Sequence, residues 1–279
     1  MGLKISPKAG LAFAVLLLVG SLTLALSLAF CDPSSGNEDG THRKEDDTVT
    51  TSLDYQYKTD VSAYADAMNT TDASYLLLAN KNRVIGEGYV PDDLTQLDTK
   101  YTLNGKEISL SGNAAAAATA LIKEMRALGY SNIYITSAYR SYEYQMSLYN
   151  TYFNQEKASH PDWSDAQIKE KVLSYSAYPG TSEHQTGLCM DLFVSPDMRE
   201  LENYGHEGKY PDDVGFAETN DFQWLRENAH KFGFILRYPE NKVDVTGYAY
   251  ESWHYRFVGI DAATEIYLSS LTLEEYLGE

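Results

Sequence analysis

The chain has 279 residues, 43% of them hydrophobic, with 40 acidic residues against 22 basic ones and a net charge of −18. That length holds one large domain or two small ones around a substantial core, and the ordinary hydrophobic share excludes wholesale disorder. The acidic balance excludes nucleic acid and anionic lipid surfaces as natural partners.

Residues 9–30 carry no charge and follow Lys4 and Lys8. About 20 apolar residues span a bilayer, and a positive flank stays inside. The expectation is an uncleaved signal anchor over 1–31, single-pass in the cell membrane, with everything after it extracytoplasmic. Secretion after cleavage, or lipidation at Cys31, are the alternatives; bulky Phe30 disfavours lipidation. Residues 32–73 read as a polar linker, with the charge-rich stretch 32–60 too hydrophilic to fold alone. The folded domain is expected over 74–279, opening on a short apolar strand that runs into a loop at Pro91. Cys31 and Cys189 are the two cysteines and lie in unrelated contexts, so the domain is held by its core without a disulfide.

A helix is predicted over 113–128, where Leu121, Ile122, Met125 and Leu128 form one stripe that Gly129 ends. A second helix follows Ser141. A third starts at Ser164 with Gln167 three residues on, as in a capping box. A fourth covers 221–232. Strands are predicted at 132–139 and around 188–194, 234–238 and 248–258 from their β-branched and aromatic content. No regular βαβ beat connects them, which predicts an α+β fold with a mostly antiparallel sheet.

The segment "PGTSEHQTGLCMDLF" (179–193) places His184 seven residues before Asp191. In a straight strand an odd spacing puts them on opposite faces. A turn at Gly187 between them could bring both to one point. "YAYESWHYRFVG" (248–259) supplies His254, the other histidine set in a dense apolar strand. His184, Asp191 and His254 make a two-histidine, one-carboxylate set that leaves a fourth position open for water, as catalytic zinc requires. Alone, each is more often a satisfied core residue. Histidines 42, 160, 206 and 230 lie in linker, loop or helix-end contexts and are not expected at a site. Glu251 precedes His254 by three residues and is a candidate general base, with an exposed strand acid as the bland reading. Arg140, between a predicted strand and helix, can hold a carboxylate or a developing oxyanion; otherwise it caps the sheet edge. Nearby tyrosines 139, 142, 144, 149 and 152 read as helix face and groove wall.

Taken in order, "SAYRS" (137–141), "SEHQTGLCMD" (182–191) and "ESWHYR" (251–256) resemble the VanY-type D-alanyl-D-alanine carboxypeptidases, zinc peptidases that trim peptidoglycan stem peptides. "NKNRVIGEGYVPDDL" (80–94) extends the likeness, which covers about 74–260. The resemblance implies a small antiparallel sheet flanked by helices, with a zinc cleft across it (Hedgehog/D,D-peptidase-like). It implies one Zn2+ per chain on His184, Asp191 and His254, Glu251 as catalytic base, and Arg140 as substrate or transition-state clamp. It places Ser182 and Gln145 as contacts to the peptide's terminal region. Two departures stand out. Ala138 occupies a position often held by Gly. Cys189 stands where the family usually has Ala; it is either a small buried residue or a thiolate close enough to bind the metal.

The function so implied is removal of the C-terminal D-Ala from stem peptides by a monomeric enzyme. Trimming of stem tetrapeptides by L,D-cleavage is the alternative, for which Glu183 offers a carboxylate to a substrate amine. A wall-binding module without turnover is the competing class. Loss of Glu251 or of a ligand would signal it, and neither is missing.

Overall fold

The protein is described by a computed structural model over residues 55–194 and 214–279. The expected anchor at 1–31 and the linker before residue 55 lie outside the described residues. Among the described residues, no helix is long and apolar enough to cross a membrane.

Two short strands, β1 (Leu94–Gln96) and β2 (Ser109–Ser111), pair antiparallel. The main sheet contains β3 (Ile133–Ser137), β4 (Cys189–Val194), β5 (Phe234–Tyr238) and β6 (Glu251–Phe257), in the order β3-β4-β6-β5. All its ladders are antiparallel. Helix α1 (Gly112–Ala127) shares one apolar core with this sheet. Its alanines 114, 115, 117, 118 and 120 are all buried, because small side chains favour helix and let it sit close to the strands. Leu121, Ile122 and Met125 are buried as the stripe requires, while Leu128 just past the helix is 39% exposed. Helix α2 (Tyr142–Ser159) starts on Ser141, whose hydroxyl accepts from Tyr144 N. Helix α3 (Asp165–Leu173) has the reciprocal Ser164–Gln167 capping box. Next come α4 (Asn220–Asn228), α5 (Ile260–Ser269) and α6 (Leu273–Leu277).

Two expectations change. The apolar stretch near residue 74 is a single 3-10 turn, Ala73–Leu76, rather than a strand. Residues 55–73, which fall within the expected linker, pack on the body. The reason is Glu124, buried in the last turn of α1. Its carboxylate accepts hydrogen bonds from Tyr55 Oη (3.1 Å), Lys58 N (2.7 Å), Thr59 N (2.8 Å) and Thr59 Oγ1 (2.6 Å). Burial opposes its charge, yet these donors hold its pKa below the usual carboxylate range. Tyr55 and Tyr57 also stack edge-on with each other and with Phe232. Gly259 seals the junction: its φ of +83° favours glycine, and a Cβ there would meet Thr70 O at 2.5 Å.

Candidate active site

Alternation along β4 and β6 sends Met190, Leu192, Tyr255 and Phe257 to the face packed on α1. Cys189, Asp191, His254 and Arg256 therefore share the opposite face, with Asp191 directly across from His254. His184 reaches the same point from outside the sheet. It lies in the 3-10 turn Glu183–Thr186, which ends on Gly187 in the left-handed region (φ +70°). Gly187 O also accepts from Ser111 N at 2.8 Å, fixing the turn to the start of α1. The turn at Gly187 thus solves the odd spacing.

The two imidazoles are oriented in the same manner. His184 Nδ1 lies 2.6 Å from Ala138 O, leaving Nε2 3.4 Å from Asp191 Oδ2. His254 Nε2 lies 3.0 Å from Glu183 Oε2, leaving Nδ1 3.3 Å from both Asp191 Oδ1 and Glu251 Oε2. Each ring donates one N–H to a fixed acceptor and turns the other nitrogen to a common point, the arrangement metal-ligating histidines adopt. Asp191 Oδ1 is buried without a hydrogen-bond donor. Burial and the nearby Arg140 oppose protonation of His184, but Asp191 and Cys189 carry its pKa up to about 9. Burial raises Asp191, and the two histidines outweigh it, holding it well below its ordinary value. Two nitrogens and a carboxylate, each preoriented and mutually charge-coupled, fit a divalent cation such as zinc.

Arg140 follows β3. Its backbone N–H donates to His184 O (3.1 Å), its Nη2 lies 3.3 Å from Asp191 Oδ2 and its Nη1 donates to Gln145 Oε1 at 3.0 Å. Gln145 differs from the expectation of a substrate contact. It is 1% exposed, and its amide nitrogen is engaged by Ala177 O (2.9 Å). It holds Arg140. Ser182, Arg140, Glu251 and the three candidate ligands all line one cleft of about 790 Å³, walled by aromatics such as Tyr152, Tyr248 and Trp253. Glu251 is 22% exposed by side chain, open to whatever occupies the cleft.

Glu183 is not the free carboxylate that sequence reasoning made it. Its side chain is fully buried, and Oε1 accepts from Arg237 Nε (2.8 Å) and Arg256 Nη1 (2.6 Å) while Oε2 faces His254. Arg237 in turn makes two bonds to Glu274 of α6, at 2.8 and 2.6 Å, and Asn80 donates to Glu274 at 3.1 Å. Arg256 Nη2 caps the carbonyls of Tyr75 and Leu77. Burial raises the pKa of Glu183, but Arg237, Arg256 and His254 bring it well below the usual range. This buried network was missed. The signal for it was a guanidinium inside each of two apolar strands, "FILRY" and "WHYRF", which demands a buried acid.

Residues 107–260 match the profile of the VanY family, described as D-alanyl-D-alanine carboxypeptidase. The Bacillus subtilis (strain 168) protein YodJ is 35% identical over 229 residues, covering 81% of this chain and 75% of that protein. Among solved structures, the LdcB LD-carboxypeptidase is similar at 34% identity and a TM-score of 0.58, over 75% of this chain and 89% of its own. A vancomycin-resistance D,D-pentapeptidase VanY in complex with Zn(II) is similar at 34% identity and a TM-score of 0.54, over 73% of this chain and 99% of its own.

Proposed function

The chain belongs to the VanY family of D-alanyl-D-alanine carboxypeptidases and is a peptidase, and on that premise we propose a zinc-dependent enzyme that removes the terminal D-Ala of peptidoglycan stem pentapeptides. The observation that carries the reading is the convergence of His184 Nε2, His254 Nδ1 and the Asp191 carboxylate beside Glu251, at the floor of an open cleft. His184, Asp191 and His254 would hold the zinc, one per chain. A bound zinc supplies a Lewis acid for the scissile carbonyl and an acidified water. Glu251 takes the proton of the attacking water and returns it to the leaving amine. Arg140, kept in place by Gln145, holds the substrate carboxylate or the developing oxyanion. Ser182 borders the same cleft and contacts the peptide's terminus. All these groups come from one chain, so the site would be complete in the monomer. The apolar run at 9–30 supports membrane tethering with the domain outside.

A second reading is L,D-cleavage of tetrapeptides. It is favoured by the likeness to the LdcB LD-carboxypeptidase. Both are tested by incubating the purified protein with pentapeptide and tetrapeptide, with and without chelator, and detecting released D-Ala by mass. Chelator-sensitive release with the larger kcat/KM on pentapeptide is expected. A tenfold or greater preference for tetrapeptide moves the assignment to L,D-cleavage. Full activity without metal overturns the mechanism.

A further inference from the structure

Cys189 lies on β4 two residues before Asp191 and on the same sheet face. It is free and fully buried. Its Sγ and one ring nitrogen each of His184 and His254 lie within 4.8 Å of one another. A buried cysteine usually serves as a small apolar residue. The company here argues otherwise, since its cross-strand partner is Arg256 and both imidazoles lie beside it. Cys189 is also absent from the cleft wall, whereas His184, Asp191 and His254 line it.

We infer that Cys189 Sγ is a fourth protein ligand to the metal, placed on the buried side of the site so that the cleft side stays open to water and substrate. The inference rests on the zinc reading above. Coordination forms a metal–sulfur bond, and the thiol proton leaves to solvent as the metal enters, because the thiolate is the ligand form. Two consequences follow. A histidine–histidine–aspartate–cysteine set binds zinc more tightly than the three-ligand set, and the soft sulfur biases the site to zinc or cobalt over magnesium or manganese.

The test loads metal-free protein with Co(II) and records its absorption spectrum. A near-ultraviolet thiolate-to-cobalt charge-transfer band is expected in the wild type and its loss in Cys189→Ala. Zinc affinity, read by competition with a chromophoric chelator, is expected to fall in that variant by more than the about 10–100-fold cost of an outer-shell change. Zinc-edge X-ray absorption of the wild type needs no variant and is expected to show one sulfur scatterer. Bound cobalt without the band, or a zinc shell of nitrogen and oxygen alone, overturns the cysteine ligand and leaves the zinc reading standing. A wild type that takes up neither metal overturns both.

Discussion

On the side of the main sheet that meets α1, Met190 and Leu192 of β4 lie beside Phe234 of β5 and Tyr255 and Phe257 of β6, all 0% exposed. On the other side the same strands present Cys189, Asp191, His254, Arg256 and Arg237, none more than 4% exposed. Depth of burial therefore does not distinguish the two faces. Their energetics do. The apolar face stabilises in proportion to area removed from water, at about 25 cal/mol per Å², and tolerates many shapes. The polar face loses hydration on burial and recovers it only through specific pairing, as Arg237 and Arg256 do with buried acceptors. Glu183 and Glu274 neutralise Arg237 and Arg256, whereas the imidazoles and Asp191 leave a point for a cation. One face holds the fold together and the other holds a geometry.

That division can be broken at four places. The largest effect is expected at the rim of the polar face. Glu251→Gln should lower kcat by about 10²–10⁴-fold while zinc content and thermal stability stay at wild-type values, since only proton transfer is removed. Near-normal turnover would mean the base lies elsewhere. On the apolar face, Leu192→Ala should cost about 2–5 kcal/mol in denaturant unfolding and leave zinc affinity unchanged. A parallel loss of zinc affinity would show that the faces are not separable. In the network, Glu183→Gln keeps shape but weakens the acceptor for His254 Nε2. Zinc affinity should fall about 10–100-fold, measured by chelator competition on folded protein. If affinity holds, Glu183 orders the fold alone.

The smallest effect compares two buried histidines by pH. Asp191 and Cys189 raise His184, as described. Neither ring nitrogen of His230 has a hydrogen-bond partner, and its ring stacks on Tyr267 of α5 at 4.0 Å. Burial, then the adjacent Lys231, pushes its pKa down to about 4. The folded value lies below the unfolded one of about 6.5, so the unfolded chain takes the proton first. The stability His230 contributes is thus present above pH 6.5 and lost as pH falls through about 4. Unfolding free energies across that window should fall less steeply in His230→Phe than in the wild type. An unchanged slope would place the titration elsewhere.

Sequence made the candidate metal ligands legible because they sit in short motifs with strong local constraints: a turn glycine after His184, alternation around Asp191, and an aromatic strand around His254. The main helices and strands were legible from period and capping for the same reason. What it concealed depends on pairs far apart in the chain. Glu183 meets Arg256 across 73 positions and Arg237 across 54, so nothing beside Glu183 reveals that it is already paired. Gln145 sits in a helix that does line the cleft, but its rotamer turns it to Arg140 and Ala177. Residues 55–60 look like linker because their partner is one glutamate more than sixty positions away.

The Glu124 attachment also separates an anchoring side of the domain from a working side. The chain from Tyr55 joins the body through the backbone amides of Lys58 and Thr59, both tied to a single carboxylate on α1, and through Tyr57 Oη, which donates to Lys231 O. That helix backs the apolar face of the sheet, so the segment is fastened to a close-packed layer of alanines and aromatics, and the imidazole–carboxylate cluster lies on the far side.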